Sequence, residues 1–187
     1  MKKIAVAAFA LFLLVATGCK KEKLPNEKLP ECPDCAFSCL ESLEPDVLTN
    51  ACFVRYTCSF LLRKDSRLIY SESNTESYVR PGSKLVFSLA SSTQGAPNIA
   101  DDEITEVLYF ELEPGMESFS AEAGQMDLLN LRFQRHCYCY DTDLKKPTGG
   151  CMQGQRIDDS HWKVQGNLTF SYDFGTVPFK FEAVFSE

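Results

Sequence analysis

Cysteines are the residues of this sequence whose number and spacing could support chemistry. Nine are present, and Cys32-Pro33-Asp34-Cys35 forms a C-x-x-C motif that is followed by Cys39. Such a motif serves thiol redox catalysis where it opens a helix after a strand, and three nearby thiolates can begin a zinc site. Here a charged segment precedes the motif and strand-like sequence follows it. We therefore predict structural disulfides rather than a redox centre or a metal site.

Histidines and carboxylates offer weaker candidates for chemistry. His136 and His161 are the only histidines, and the chain lacks the Gly-x-Ser-x-Gly element that would supply a serine nucleophile. Acidic residues cluster at 101–103, 141–143 and 158–159, where oxygen ligands for calcium would be available, but the EF-hand spacing is absent. We predict ordinary surface or sheet histidines, solvated loop acids, no metal and no cofactor. The chain is not predicted to be an enzyme.

The N-terminus has the pattern of a secretory signal. Lys2 and Lys3 precede an uncharged run of Ala, Val, Leu and Phe at residues 4–16. This run is too short to span a hydrocarbon core of about 30 Å as a helix. A basic start and a small-residue end predict cleavage, which would leave Cys19 as the first residue of the mature chain.

The stretch Ala16-Thr17-Gly18-Cys19 resembles the processing site of bacterial lipoproteins. Lipoprotein signals commonly carry leucine where Ala16 stands, followed by small residues and the cysteine. The resemblance implies that Cys19 is lipidated. In the best-studied Gram-negative sorting system, an aspartate after this cysteine retains lipoproteins at the inner membrane, whereas Lys20 follows it here. The resemblance thus implies a lipid anchor in the outer membrane, on its periplasmic or its cell-surface face.

The charge of the chain restricts its partners. The formal net charge is −7, and loss of Lys2 and Lys3 with the signal would make it −9, because two positive charges leave. Such a chain is repelled by phosphate backbones and anionic headgroups, which excludes nucleic acid as a natural partner. Attachment to a membrane would therefore depend on the lipid, which contributes about 0.8 kcal/mol per buried CH₂.

Composition divides the chain into three parts. We expect residues 1–18 to be the signal peptide and residues 19–31 to be a flexible tether, which begins with the cysteine whose lipidation the resemblance implies. The tether repeats Glu-Lys-Leu-Pro, and its prolines and alternating charges keep it extended and solvated. Residues 32–187 form a single β domain with a cysteine-rich N-terminal segment, which is long enough to bury its own core.

The distribution of the cysteines constrains the fold. Once Cys19 is lipidated, eight candidates for disulfides remain, in an early and a late group, and they permit 105 pairings. The two groups are Cys32, Cys35, Cys39, Cys52 and Cys58, and then Cys137, Cys139 and Cys151. Both groups have odd numbers, so complete pairing requires at least one bridge between them. Such a bridge would be worth about 4 to 5 kcal/mol in the chain-entropy model.

Apolar and polar residues alternate along most of the domain, which predicts strands. Strands are expected over 52–62, 68–70, 84–90, 104–112, 129–139, 162–172 and 177–185. A short helix is expected over 44–51, a turn over 63–66, and loops over 91–102 and 141–154. About seven or eight strands without strand–helix alternation predict a disulfide-stapled antiparallel β-sandwich, with an up-and-down barrel as the alternative.

These features predict a class of function. We expect a non-enzymatic, membrane-anchored binding or adhesion module with a protein or a glycan as its ligand. The two predicted loops at 91–102 and 141–154 are the expected contact regions, because loops on a rigid sheet commonly carry recognition. The alternatives are a barrel that carries a lipid or another apolar ligand and, less favoured, a hydrolase or a thiol redox enzyme.

Overall fold

The protein is mainly β, as its sequence predicts. The computed structural model describes residues 29, 39–40, 46–95, 103–138 and 141–187. Strands dominate these residues, and the helical structure in them is a single 3₁₀ segment, Ala123–Leu129. No helix in this described part has the length and apolar character needed to cross a membrane.

The C-terminal hairpin forms as the alternation of apolar and polar side chains predicts. Phe181 and Phe185 in the last strand are fully buried, whereas Lys180 and Glu182, on either side of Phe181, are half-buried on the opposite face. The preceding strand pairs with it antiparallel over its whole length, with Phe181 opposite Gly166. Burying alternate rings on one side stabilises the hairpin and leaves its other side polar.

The described chain contains ten strands. They are β1 (Leu48–Thr49), β2 (Tyr56–Tyr70), β3 (Ser77–Pro81), β4 (Lys84–Thr93), β5 (Thr105–Leu112), β6 (Ser118–Glu122), β7 (Arg132–His136), β8 (Pro147–Arg156), β9 (His161–Tyr172) and β10 (Gly175–Ser186). The 3₁₀ helix lies between β6 and β7.

The strands form one hydrogen-bonded sheet with two antiparallel halves. The order is β6-β8-β9-β10-β2-β4-β5-β7, with β1 added to β10 and β3 added to β2. A parallel contact, Ser186 opposite Leu61, joins β10 to β2. The path is open, because no pairing among the described residues connects β6 to β7. The barrel alternative is therefore not the architecture.

The two halves pack face to face through aromatic rings. The ring of Phe133 on β7 stacks on Phe170 of β9 with centroids 4.4 Å apart. The ring of Phe185 on β10 meets Phe110 of β5 edge to face at 5.7 Å. Trp162 of β9 meets Phe87 of β4 in the same way, also at 5.7 Å. Contacts of this kind across the molecule define a β-sandwich, which confirms the predicted fold class.

The helix predicted at 44–51 is wrong for the residues that the structure describes. Leu48 and Thr49 form β1, which pairs parallel with Phe181 and Glu182 of β10. Leu48 is 3% exposed, so its burial against the sandwich outweighs the weak local helix preference. The side chain of Asn50 secures the segment, because it accepts from the Val184 N–H and donates to the Val184 carbonyl.

The turn predicted at 63–66 is also wrong. The residues belong to the single long strand β2, and a bulge there shifts its pairing with β4 between Arg63 and Ser66. Asp65 takes a left-handed conformation with φ 47°, which an aspartate tolerates better than most side chains. Beyond the bulge, β2 leaves β4 and pairs with β3 alone, and the sequence pattern had not indicated β3.

The loop predicted at 141–154 is largely a strand. Residues 147–154 belong to β8, which pairs with β9 on one side and β6 on the other. A Cβ on Gly154 would overlap the ring of Phe119, and a Cβ on Gly166 of β9 would overlap that of Phe181. Glycines therefore make room for rings of neighbouring strands, and their lack of side chains concealed β8 from pattern analysis. The strand β6 was missed as well.

Candidate functional site

A disulfide joins the cysteine-rich N-terminal part to the sandwich. Cys39 is bonded to Cys151 of β8, with Cα atoms 5.7 Å apart and a sequence separation of 112. This is a bridge between the early and the late cysteine group. The Asn167 side chain also donates a hydrogen bond to the Cys39 carbonyl, at 3.3 Å. Cys39 is 6% exposed, so this bridge is placed for structure rather than for thiol exchange.

A second disulfide closes a short loop before β2. Cys52 and Cys58 are bonded, with Cα atoms 5.9 Å apart. Cys137 is disulfide-bonded too. The remaining predicted site residues, Cys32, Cys35 and Cys139, lie outside the described residues, as does the predicted lipidation site Cys19.

The histidines lie on different halves of the sandwich. His136 ends β7, and His161 begins β9. The Nδ1 atom of His161 is 2.8 Å from Asp158 Oδ1. The backbone N–H of Ser160 and the His161 ring both hold the pKa of Asp158 below its ordinary value. No hydroxyl or thiol of the described residues is hydrogen-bonded to either imidazole, so the Asp158–His161 pair is not joined to a nucleophile there.

The predicted acidic clusters at 141–143 and 158–159 lie beside basic groups. Asp141 is buried, and Lys145 Nζ lies 2.8 Å from its Oδ1. Burial alone would raise the pKa of Asp141, but hydrogen bonds from Lys145 and from the backbone N–H groups of Asp173 and Asp143 lower it overall. Residues 101 and 102 lie outside the described part.

Beside the Asp158–His161 pair, Arg156 links two further acids. It lies 3.1 Å from Glu117 and 2.6 Å from Asp159. Nowhere in the described ranges do three or more His, Cys, Asp or Glu side chains stand where they could hold a metal ion. The acids at this end of the sandwich are paired with Arg156 or with the His161 ring.

A surface that pattern analysis missed lies on the hairpin of β2 and β3. Its outward side chains form two cross-strand pairs, Arg67 opposite Arg80 and Ile69 opposite Tyr78. Ile69 is 38% exposed and Tyr78 is 40% exposed. We call these four residues the hairpin face. The sequence signal that could have revealed it is the strand-favouring pair Tyr78-Val79 between the polar stretch 71–76 and Pro81.

The inner side of this hairpin packs on the outside of the sandwich. Leu68 is 6% exposed, and its N–H donates to Glu111 Oε2 at 2.9 Å. Tyr70 donates its hydroxyl to the Asn130 carbonyl at 2.7 Å, and the Arg132 guanidinium lies 5.0 Å from its ring centroid. Burial raises the pKa of Tyr70 well above its ordinary value. These contacts hold the hairpin that carries the hairpin face against the outside of the sandwich.

No protein-family model matches the chain, and neither a curated protein nor a solved structure does.

Proposed function

We propose that this chain is a lipoprotein anchored in the outer membrane through Cys19, and that its sandwich is a non-enzymatic binding or adhesion module. The sequence supports the anchor through the basic and apolar start of the chain and the small residues before Cys19. Disulfides support an exported location, because they persist in oxidising compartments. The face of the membrane on which the domain lies is the periplasmic or the external one.

The ring packing between the two halves is the observation that favours binding at the outer surface over a carrier function. Phe87, Phe110, Phe133, Phe170 and Phe185 are all 0% exposed. Rings that contact each other across the sandwich occupy the space in which a carrier would hold an apolar ligand. A ligand would accordingly meet the outer surface, where exposed apolar side chains such as Val54, Tyr56 and Phe174 offer contact area.

The fold changes which parts of the chain are candidates for contact with a ligand. The loop expected at 141–154 is reduced to its first residues, because β8 includes the rest. The loop expected at 91–102 begins only after β4 ends at Thr93, and much of it lies outside the described residues. The outer strands and the hairpin face therefore become the principal candidates for contact with a ligand.

Two measurements on the full-length chain in non-ionic detergent test this function. Native mass spectrometry should detect the domain without a bound small molecule beyond the anchor lipid. The same preparation should bind saturably to one class within a panel of immobilised extracellular proteins and glycans. A stoichiometric lipid retained inside a Cys19→Ser variant would contradict the proposal in favour of a carrier. Thiol-dependent reductase turnover, measured in parallel, would contradict it in favour of a redox enzyme.

A further inference from the structure

The hairpin face combines two arginines with two apolar side chains. Arg67 and Arg80 lie directly opposite each other on β2 and β3, and Ile69 and Tyr78 form the next pair on the same side. The Arg80 guanidinium lies 5.6 Å from the centroid of the Tyr78 ring. Tyrosine and arginine dominate the binding energy of many protein interfaces, so this composition is typical of a contact surface.

The two arginines have no acidic partner in the part of the chain that the structure describes. Every described lysine, by contrast, makes an ion pair with an acid. Like charges directly opposite on neighbouring strands destabilise a hairpin. In a chain with a formal charge of −7, the Arg67–Arg80 pair is a local positive region that no acid of the described residues neutralises through an ion pair, and the nearby Glu76 carboxylate accepts from the Tyr78 hydroxyl instead. An anionic group from outside would relieve the repulsion.

The edge of β3 supplies a second element of recognition. β3 pairs with β2 and with no other strand of the described residues, so one side of its backbone is open. Arg80 and Pro81 oppose edge-to-edge pairing with a second copy, because like charges would meet and proline cannot donate a hydrogen bond. An acidic strand would not meet that repulsion.

We infer that the hairpin face binds an extended acidic peptide segment of a partner protein, which adds to the sheet along β3. In such pairing, side chains of the added strand continue the cross-strand rows of the sheet. A carboxylate would align with the Arg80–Arg67 row, and an apolar side chain two residues away would align with the Tyr78–Ile69 row. The recognised pattern is therefore an acidic residue, any residue, and an apolar residue. The inference rests on the proposed binding function and names its partner class.

Three synthetic peptides of equal length test the inference with the full-length chain in detergent. The first peptide alternates threonine with glutamate and valine, so that both face the same side of a strand. A second rearranges the same residues so that glutamate and valine face opposite sides, and a third replaces glutamate with lysine in the first pattern. Titration into the millimolar range, followed by ¹H–¹⁵N chemical shifts, should show the first peptide binding at least about fivefold more tightly than the others.

Variants locate the binding to the hairpin face. Arg80→Glu should weaken binding of the first peptide at least about fivefold, and the double variant Arg67→Glu/Arg80→Glu should prefer the lysine peptide. Arg55→Glu is the matched control, because Arg55 is exposed outside the hairpin and changes the charge equally. Its binding should equal that of the unchanged chain.

Other outcomes overturn the inference and leave the binding function separately testable. Absence of binding by the first peptide, or equal binding by all three, contradicts recognition of an acidic strand. Arginine-dependent binding of a uronic-acid oligosaccharide without binding of the peptide would assign the hairpin face to a glycan. If the panel of immobilised ligands shows saturable binding that Arg80→Glu leaves unchanged, the binding function stands and the inference about this face fails.

Discussion

Cys39 and Cys151 are 112 residues apart in the sequence, yet a disulfide joins them with Cα atoms 5.7 Å apart. The bond attaches the start of the domain to β8, in the half of the sandwich that ends with β10. The ion pair between Asp46 and Lys180, at 3.5 Å, and the pairing of β1 with β10 hold the same segment to the same half. Residues 39–40 and 46–49 are therefore a component of the fold.

Removing this disulfide should destabilise the domain strongly. The variant Cys39→Ser/Cys151→Ser should lose about 5 kcal/mol of unfolding free energy in the chain-entropy model, because the closed loop is long. Cys52→Ser/Cys58→Ser is the matched control, since its loop of 6 residues predicts a loss of only about 2 kcal/mol. Denaturant unfolding without reductant measures both. Equal losses would contradict the role of loop length.

Substitution of a glycine beneath a ring should be costly. Gly166→Ala should destabilise the protein by about 1–3 kcal/mol, because the new Cβ would overlap the ring of Phe181. Gly124→Ala serves as the control, since nothing lies within 4 Å of a Cβ there. Thermal unfolding should show a lower Tm for the first variant alone. A smaller side chain at the partner position, Phe181→Leu, should make the Gly166→Ala change less harmful, and independent effects would contradict the overlap.

The rings between the halves should dominate the stability of the sandwich. Phe185 contacts Phe60 and Phe110 from the other half, with ring centroids 5.8 and 5.7 Å away. Phe185→Ala should therefore cost about 3–5 kcal/mol. Phe174→Ala removes a ring that is 52% exposed and should cost much less. Similar losses in denaturant unfolding would show that the interior is less tightly packed than the contacts indicate.

Asp141 should make the stability depend on acidic pH. Its folded pKa lies below the unfolded value of 3.8, so its contribution is complete above that value and is lost as the pH falls through the folded pKa. Asp141→Asn should remove this part of the dependence and cost about 1–3 kcal/mol at neutral pH. Asp143→Asn is the control, because Asp143 is 52% exposed and 3.9 Å from Lys145. Unchanged acid sensitivity in Asp141→Asn would contradict this role.

Tyr172 should affect stability in the opposite pH range. Burial, with the nearby Asp141 carboxylate, raises the pKa of Tyr172 to about 12 from 10.0. The contribution of the neutral hydroxyl is therefore complete below pH 10.0 and is lost as the pH rises towards 12. The free energy of unfolding of Tyr172→Phe should fall less steeply between pH 10.0 and 12 than that of the unchanged chain. Identical alkaline unfolding curves would contradict the shifted pKa.

The predictable part of the fold was the part with alternating large side chains. β4, β5, β9 and β10 follow their sequence patterns because Phe, Leu and Val face the interior at every second residue. β8 does not, since it contains three glycines, of which Gly154 leaves space for the Phe119 ring of β6. β2 was divided in two because a charged bulge resembles a turn when only local sequence is considered.

The sequence predicted that disulfides staple the domain, but it did not predict which cysteines they join. The odd numbers of early and late cysteines required a bridge between the groups, and Cys39–Cys151 is such a bridge. The partner of each cysteine depends on distances that only the folded sandwich defines. The hairpin face could not be predicted for the same reason, because Arg67 and Arg80 become neighbours only when β3 pairs with β2.

Peptide mass mapping of the chain isolated from membranes, under non-reducing conditions, tests the central claim most directly. An exported lipoprotein with a disulfide-stapled sandwich predicts three results: an acylated N-terminal peptide that begins at Cys19, a linked peptide pair containing Cys39 and Cys151, and a linked pair containing Cys52 and Cys58. An unmodified peptide that spans residues 16–20, together with alkylated free thiols at those four cysteines, would contradict both the anchor and the oxidised domain.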